Sequence, residues 1–318
     1  MRELDVTFDG AGVRLAGSLA LPESGGGGPF PAALILPGSG PIDRNADMKR
    51  MPLRISHDLA DALAKDGVAS LRYDKRGVGA SEGDFLRASL TDNAEDGRAA
   101  LACLASRPEV DPARLVVIGH SEGALNAMQL LGSSAEGHPG QADVVKPAGV
   151  VLLSASAVPG EQTLAWQTRQ LAATMPRFVK ALLRLLRIDI VRRQQANVAK
   201  LKASTEDVIR LDGRRMNARW HRELIAFDPV PLLRGIDIPV LAVTGAKDLQ
   251  VNPDDLDLIA RTVAGTVETR VVPDLTHLLR RDPEEPSLSH YKKQIKQPVD
   301  AELLRLVTDW VAKLSDRP

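Results

Sequence analysis

The segment Arg114-Leu115-Val116-Val117-Ile118-Gly119-His120-Ser121-Glu122-Gly123 constrains this chain more than any other. An apolar run followed by G-x-S-x-G describes a buried strand that must turn sharply into the next element. That element, Ala124 to Leu131, is rich in Ala, Leu and Met and reads as a helix. The two glycines let the backbone double back without Cβ clashes, so the Ser121 hydroxyl stands above the sheet edge as a candidate nucleophile. The pentapeptide alone says little, because Gly79-Ala80-Ser81-Glu82-Gly83 matches it too. The second match follows the charged turn Tyr73-Asp74-Lys75-Arg76-Gly77 and has no helix-ready segment directly behind it. Ser81 therefore reads as a plain loop serine.

Runs rich in Val, Ile and Leu alternate with helical patterns through most of the sequence, which predicts an α/β fold: a mostly parallel central sheet flanked by helices on both faces. Leu4 to Phe8 and Val13 to Leu21, around Asp9-Gly10-Ala11-Gly12, predict an antiparallel hairpin at one edge. Gly25 to Gly28 reads as a flexible surface loop. Strands are predicted over Ala32 to Leu36, Val68 to Tyr73, Leu115 to Gly119, Val150 to Leu153, Val240 to Thr244 and Thr269 to Val272. Helical spacing covers Ser56 to Lys65, stopped by Gly67, then Asp92 to Ser106, and Asp300 to Leu314, whose Leu303, Val307, Trp310 and Leu314 share one face.

Glu161 to Asp228 breaks the alternation. It has no strand candidate longer than a few residues, is dominated by Leu, Arg, Gln and Ala, and reads as a helical insertion. Residues 1–156 and 236–318 then form the two parts of the core, with 157–235 as a helical cap. The insertion holds fourteen Lys or Arg against seven Asp or Glu, in a chain whose net charge is +0. Solvated helix faces account for that excess, and attraction of an anionic substrate is the sharper alternative. Pro176 and Gly213 mark expected breaks between cap helices, and Met175, Phe178, Leu182 and Leu186 are candidates to roof a pocket.

Neutral net charge gives no reason to expect nucleic-acid binding. The one cysteine, Cys103, reads as a buried structural thiol, and no Cys/His cluster suggests a metal. Acidic residues near the N-terminus, without an apolar run of signal-peptide length or any stretch able to span a bilayer, make a soluble cytoplasmic protein the expectation.

A serine hydroxyl needs a base within hydrogen-bond reach and a third group to fix that base's tautomer. In the α/β hydrolases, whose nucleophile turn Gly119 to Gly123 resembles, the chain order is serine, acid, histidine. Of the six histidines, His277 and His290 alone follow the late strand that should carry the acid. His277 lies in the loop just after a strand and is the favoured base. His290 lies in the charged segment Arg280 to Lys296, which reads as a surface loop. His120 is expected to point away from the nucleophile, and it, His57, His138 and His221 are given structural or surface roles. Gly245-Ala246-Lys247-Asp248 places Asp248 in the turn after Pro239 to Thr244, as the acid. Asp74 also follows a strand but precedes the nucleophile, so a structural ion pair suits it better. The oxyanion of a tetrahedral intermediate needs two backbone donors, and the amides of Glu122 and Ser39 are the candidates. The Glu122 side chain is expected to hydrogen-bond loop residues around Asp43, Arg44 and Asn45.

With these residues in hand, the chain resembles the bacterial α/β-hydrolase esterases related to the serine aminopeptidase-like and dienelactone hydrolase-like groups. The resemblance rests on Leu36 to Asn45, Tyr73 to Ser81, Gly119 to Gly123, Gly245 to Val251 and Leu275-Thr276-His277, and covers nearly the whole length. It implies a carboxylic ester hydrolase with a helical cap between strands six and seven, needing no metal or organic cofactor. Pro37 departs from the pattern, standing where many α/β hydrolases have histidine, and Thr276 stands where close relatives often have asparagine. Haloalkane dehalogenase and epoxide hydrolase chemistry is disfavoured, because those related enzymes place aspartate where Ser121 stands. The expected activity is hydrolysis of small to medium acyl esters through an acyl-enzyme, with a small-molecule ester as partner and a homo-oligomer left open. A peptidase or acyl thioesterase with the same triad is the nearest alternative, and a non-catalytic ligand-binding protein the remote one.

Overall fold

A computed structural model describes residues 1–23, 28–132 and 145–315. Gly25 to Gly27 of the expected flexible loop, and His138, lie outside the described residues. The central sheet has eight strands: β1 (Arg2–Gly10), β2 (Val13–Leu21), β3 (Phe30–Leu36), β4 (Ala69–Tyr73), β5 (Val110–His120), β6 (Gly149–Leu153), β7 (Val240–Gly245) and β8 (Val267–Val272). Their order is β1-β2-β4-β3-β5-β6-β7-β8, with β2 antiparallel to both neighbours and every other pairing parallel. The β1–β2 hairpin turns through Ala11 and Gly12, whose positive φ values of 47° and 89° match the twist of the two strands.

Because side chains alternate across a strand, each central strand feeds two cores. Leu34, Val117, Leu152 and Ala242 belong to one, and Ile35, Ile118, Leu153 and Val243 to the other. Continuous apolar runs are therefore the signature of strands covered on both faces. The first face is covered by α2 (Leu90–Ala105), α3 (Glu122–Gly132) and α9 (Asp255–Thr262), the second by α1 (Ile55–Lys65) and α11 (Ala301–Ser315). Helix α2 starts at a capping box, in which Ser89 Oγ accepts from the Asp92 amide at 2.9 Å and the Asp92 carboxylate from the Ser89 amide at 2.8 Å. Cys103, expected to be buried, is only half-buried on this helix, where burial raises its thiol pKa.

Between β6 and β7 the chain forms α4 (Gly160–Thr174), α5 (Arg177–Leu185), α6 (Ile190–Ala203), a hairpin of Val208–Leu211 with Arg214–Asn217, α7 (Ala218–Ala226) and α8 (Pro229–Gly235). Pro176 separates α4 from α5 as expected. Gly213 also falls between helices, α6 and α7, but the break is more than a loop: Asp212 and Gly213, with φ of 51° and 77°, make the tight turn of the hairpin. Val198, Leu201, Ala218 and Ile225 form a small core inside this segment, while α8 packs back on α3, with Leu233 in the first core. No helix among the described residues is long and apolar enough to cross a membrane. The short α10 (Tyr291–Gln294) precedes α11.

Candidate active site

Ser121 joins β5 to α3 with a φ of +56°, a left-handed conformation that non-glycine residues rarely adopt. The flanking glycines make that turn sterically feasible. A Cβ on Gly119 would stand 2.3 Å from the Gly123 carbonyl oxygen, and one on Gly123 would stand 2.2 Å from that of Leu36. The Ser121 amide donates to Leu153 O at 2.9 Å, tying the elbow to β6.

Asp248 follows β7 and His277 follows β8, so all three residues leave the carboxyl ends of parallel strands at one edge of the sheet. His277 Nε2 lies 3.1 Å from Ser121 Oγ. Its Nδ1 lies 2.9 Å from Asp248 Oδ2 and 3.1 Å from Oδ1. A carboxylate only accepts, so Nδ1 carries the proton and Nε2 is left to accept from the serine hydroxyl. Burial pushes the Asp248 carboxyl upward, but the His277 ring and the Gln250 and Val251 amides outweigh it and hold the group below its ordinary range. The two loops are also tied directly: Lys247 N donates to Leu275 O at 3.0 Å, and a Cβ on Gly245 would stand 2.0 Å from that oxygen.

His120 meets the backbone of His277, its ring centroid 5.1 Å from that of His277. Its Nε2 lies 2.9 Å from His277 O, and since a carbonyl only accepts, Nε2 is protonated and donates. Burial, with the neighbouring His277 ring adding to it, drives its pKa down to about 3, so the ring is neutral. His290 lies elsewhere, 2.8 Å from Asp282 through Nδ1. Its segment is not simply a surface loop, because Arg280 is 1% exposed and donates to the carbonyls of Leu53, Leu278 and Gln297. Buried Gln294 donates to Asp282, and Thr276 Oγ1 lies 3.0 Å from Gln294 Oε1. Together these groups brace the His277 loop. His57 sits beside Arg54 and Asp58 on α1.

The loop after β3 passes close over the elbow: a Cβ on Gly38 would stand 3.6 Å from that of Ser121. Among the described residues, neither the Ser39 nor the Glu122 amide has an intramolecular acceptor. The Glu122 carboxylate does not reach Asp43, Arg44 or Asn45. It accepts instead from Lys75 Nζ at 2.9 Å and Asn93 Nδ2 at 2.7 Å. Arg44 turns to Asp74, which accepts its side chain at 2.8 and 3.1 Å and its amide at 2.8 Å. Asp74 thus makes an ion pair, but with neither of its chain neighbours. Ser81 is no plain loop serine: it is buried, donating to Asp74 O at 2.7 Å and accepting from the Ala16 amide at 3.0 Å.

Ser121 opens onto a cavity of about 490 Å³, within the usual range for a small-molecule site. Phe85, Leu86 and Leu125 line it from the core side, and Val158, Leu164, Met216, Trp220, Leu224 and Phe227 from the inserted segment. Phe178, Leu182 and Leu186 do not roof it. They point outward from α5 and its C-terminal cap, exposed at 73, 52 and 57%, and Met175 is absent from the lining as well. His221, read as structural or surface, does line the cavity, with Nδ1 2.6 Å from Asn217 O. Glu122 and Arg215 are the charged lining residues. Among the described residues, no group of three or more His, Cys, Asp or Glu is placed to hold a metal ion.

Residues 53–284 match the family described as serine aminopeptidase, S33. Esterase EstD of Thermotoga maritima is 27% identical over 314 residues, spanning 98% of this chain and 68% of that protein. In fold, the chain is similar to Est1E from Butyrivibrio proteoclasticus solved with ferulic acid bound (TM-score 0.61, 19% identity, 97% of this chain and 96% of that one). It is also similar to a proline iminopeptidase from Mycobacterium smegmatis (TM-score 0.63, 13% identity, 98% and 99%).

Proposed function

Because the chain belongs to the serine aminopeptidase S33 family of α/β hydrolases, we propose that it is a serine carboxylic ester hydrolase, acting through an acyl-enzyme on small to medium acyl esters. The observation that carries this reading is the hydrogen-bonded series from Ser121 Oγ through both nitrogens of His277 to Asp248, open to the cavity at its serine end. The relationship to an esterase over nearly the whole chain supports it.

In this reading Ser121 Oγ attacks the ester carbonyl carbon while its proton passes to His277 Nε2. Asp248 stays ionised, holds the imidazole in the right tautomer and stabilises the imidazolium. The carbonyl oxygen becomes an oxyanion and takes hydrogen bonds from the Ser39 and Glu122 amides. As the intermediate collapses, the bond to the alcohol oxygen breaks and His277 returns the proton to that oxygen. Water then loses a proton to Nε2, adds to the acyl carbon, and expels Ser121 as it is reprotonated. We assign the segment from α4 to α7 the role of a cap, which shapes the substrate space through Leu164, Met216, Trp220 and Leu224.

Exposed Arg215, in no ion pair among the described residues, gives specific ground for one second reading, an anionic acyl thioester as substrate. A steep fall in kcat/KM for such a donor with rising salt would support it. The primary test is hydrolysis of p-nitrophenyl esters from acetyl to dodecanoyl, with Ser121→Ala beside the unmodified protein. Turnover that peaks at short or medium chains and vanishes in the variant is expected. No turnover at any length would overturn the esterase reading.

A further inference from the structure

Lys75 and Glu122 form an ion pair with side chains only 3% and 2% exposed, next to the candidate nucleophile, and none of the chemical steps above uses it. Burying two charges is costly unless the geometry satisfies them, so the geometry is informative. Lys75 Nζ donates to Glu122 Oε1 at 2.9 Å and to Gly38 O at 3.3 Å, with the Phe85 ring centroid 5.9 Å away. Asn93 on α2 holds the same Glu122 oxygen at 2.7 Å.

Gly38 O belongs to the peptide that carries the Ser39 N–H. The peptide is trans, so its C=O and N–H point in opposite directions. With the carbonyl drawn to Lys75, the Ser39 N–H is turned to the other side of the loop, and Ser39 faces the cavity together with Ser121. Gly38, with no Cβ, leaves the torsion on its side of this peptide free to rotate, so only the ordinary φ preference of Ser39 opposes a flip unless the carbonyl is held. A flipped peptide would aim a carbonyl oxygen at the developing oxyanion.

We propose that Lys75 is a positioning residue: anchored by Glu122, it fixes the Gly38–Ser39 peptide with its N–H aimed at the oxyanion. Glu122 then serves both sides of the hole, its amide as one donor and its carboxylate as the anchor for the other. The proposal rests on the esterase reading.

The test compares Lys75→Met, Lys75→Arg and the double variant Lys75→Met with Glu122→Gln, assayed on p-nitrophenyl butyrate and with a trifluoromethyl ketone that forms a hemiketal oxyanion on serine. In Lys75→Met, kcat should fall about 10- to 100-fold and inhibitor affinity in proportion, with KM changed less than about threefold. Lys75→Arg should recover part of the rate. The double variant leaves no unpaired buried charge, so it should unfold at a higher temperature than Lys75→Met yet stay as slow. Recovery of kcat in the double variant, or a rise in KM at unchanged kcat and inhibitor affinity, would overturn the proposal. Full Ser121-dependent turnover in Lys75→Met would overturn it alone, whereas turnover indifferent to Ser121→Ala would overturn the esterase reading with it.

Discussion

The carboxyl edge of the sheet and the segment inserted above it are built on different terms. At the edge, the Asp248 and His277 side chains are 0% and 5% exposed, and each ring nitrogen and carboxylate oxygen has a partner. In the inserted segment, α4 buries only Gly160, α5 buries nothing, and the local core is four residues. Proton transfer and oxyanion binding tolerate little displacement, so in the proposed mechanism it matters that Ser121, Asp248 and His277 sit on a double-sided core. A cavity wall needs only approximate shape, and in the role proposed for it the loosely packed inserted segment would supply it.

The contrast can be broken most severely at the edge. Ser121→Ala or His277→Ala should lower kcat by on the order of 10⁶, and Asp248→Asn by about 10⁴, while His290→Ala leaves kcat intact. Steady-state kinetics check this, and loss of activity in His290→Ala with retention in His277→Ala would reverse the assignment. A change in the cap should instead redirect the enzyme. Leu224→Trp, which fills part of the cavity, should shift the preference between long and acetyl p-nitrophenyl esters toward acetyl by about 10-fold or more. Equal loss on both esters would mean that the cap takes part in the chemistry.

Smaller effects sharpen the comparison. His120 has a pKa of about 3 in the fold against 6.5 for the free side chain. Between those values the unfolded chain alone takes up the proton, so stability falls as pH drops from about 6.5 toward 3. His120→Gln keeps a side-chain N–H for His277 O and removes the titration. Its unfolding temperature should therefore decline less than that of the unmodified protein between about pH 7 and pH 5. An equal decline would place the titration elsewhere. Smallest of all, Phe178→Ser on α5 should change stability by less than about 0.5 kcal/mol in urea unfolding, since the ring already faces solvent. A larger loss would mean that α5 is covered in solution.

What the sequence revealed follows the same division. Strands buried on both faces announce themselves as apolar runs, and Leu115 to Ile118 followed by Gly-x-Ser-x-Gly places Ser121 without ambiguity. Asp248 and His277 were chosen by combining the serine, acid, histidine order of α/β hydrolases with a local signal, their places in the turns just after late strands. Lys75 and Glu122 were not paired, because they are 47 positions apart and nothing in either neighbourhood marks the other. Arg280 looked like a surface charge because its partners are backbone carbonyls, which carry no sequence signature. The inserted segment misled in two ways: periodicity showed that α5 is amphipathic but not which side faces the protein, and Gly213 was read as a helix break without the hairpin whose turn it makes, for lack of long strands beside it.

The central claim is that Ser121 is the nucleophile, activated by groups at the sheet edge. Its most direct test is mass spectrometry of the intact and digested protein after reaction with a fluorophosphonate. One phosphonyl adduct on the peptide bearing Ser121, formed at a much reduced rate in His277→Ala, is the result this account requires. An adduct on Ser81 or another serine, or no adduct at all, would contradict it.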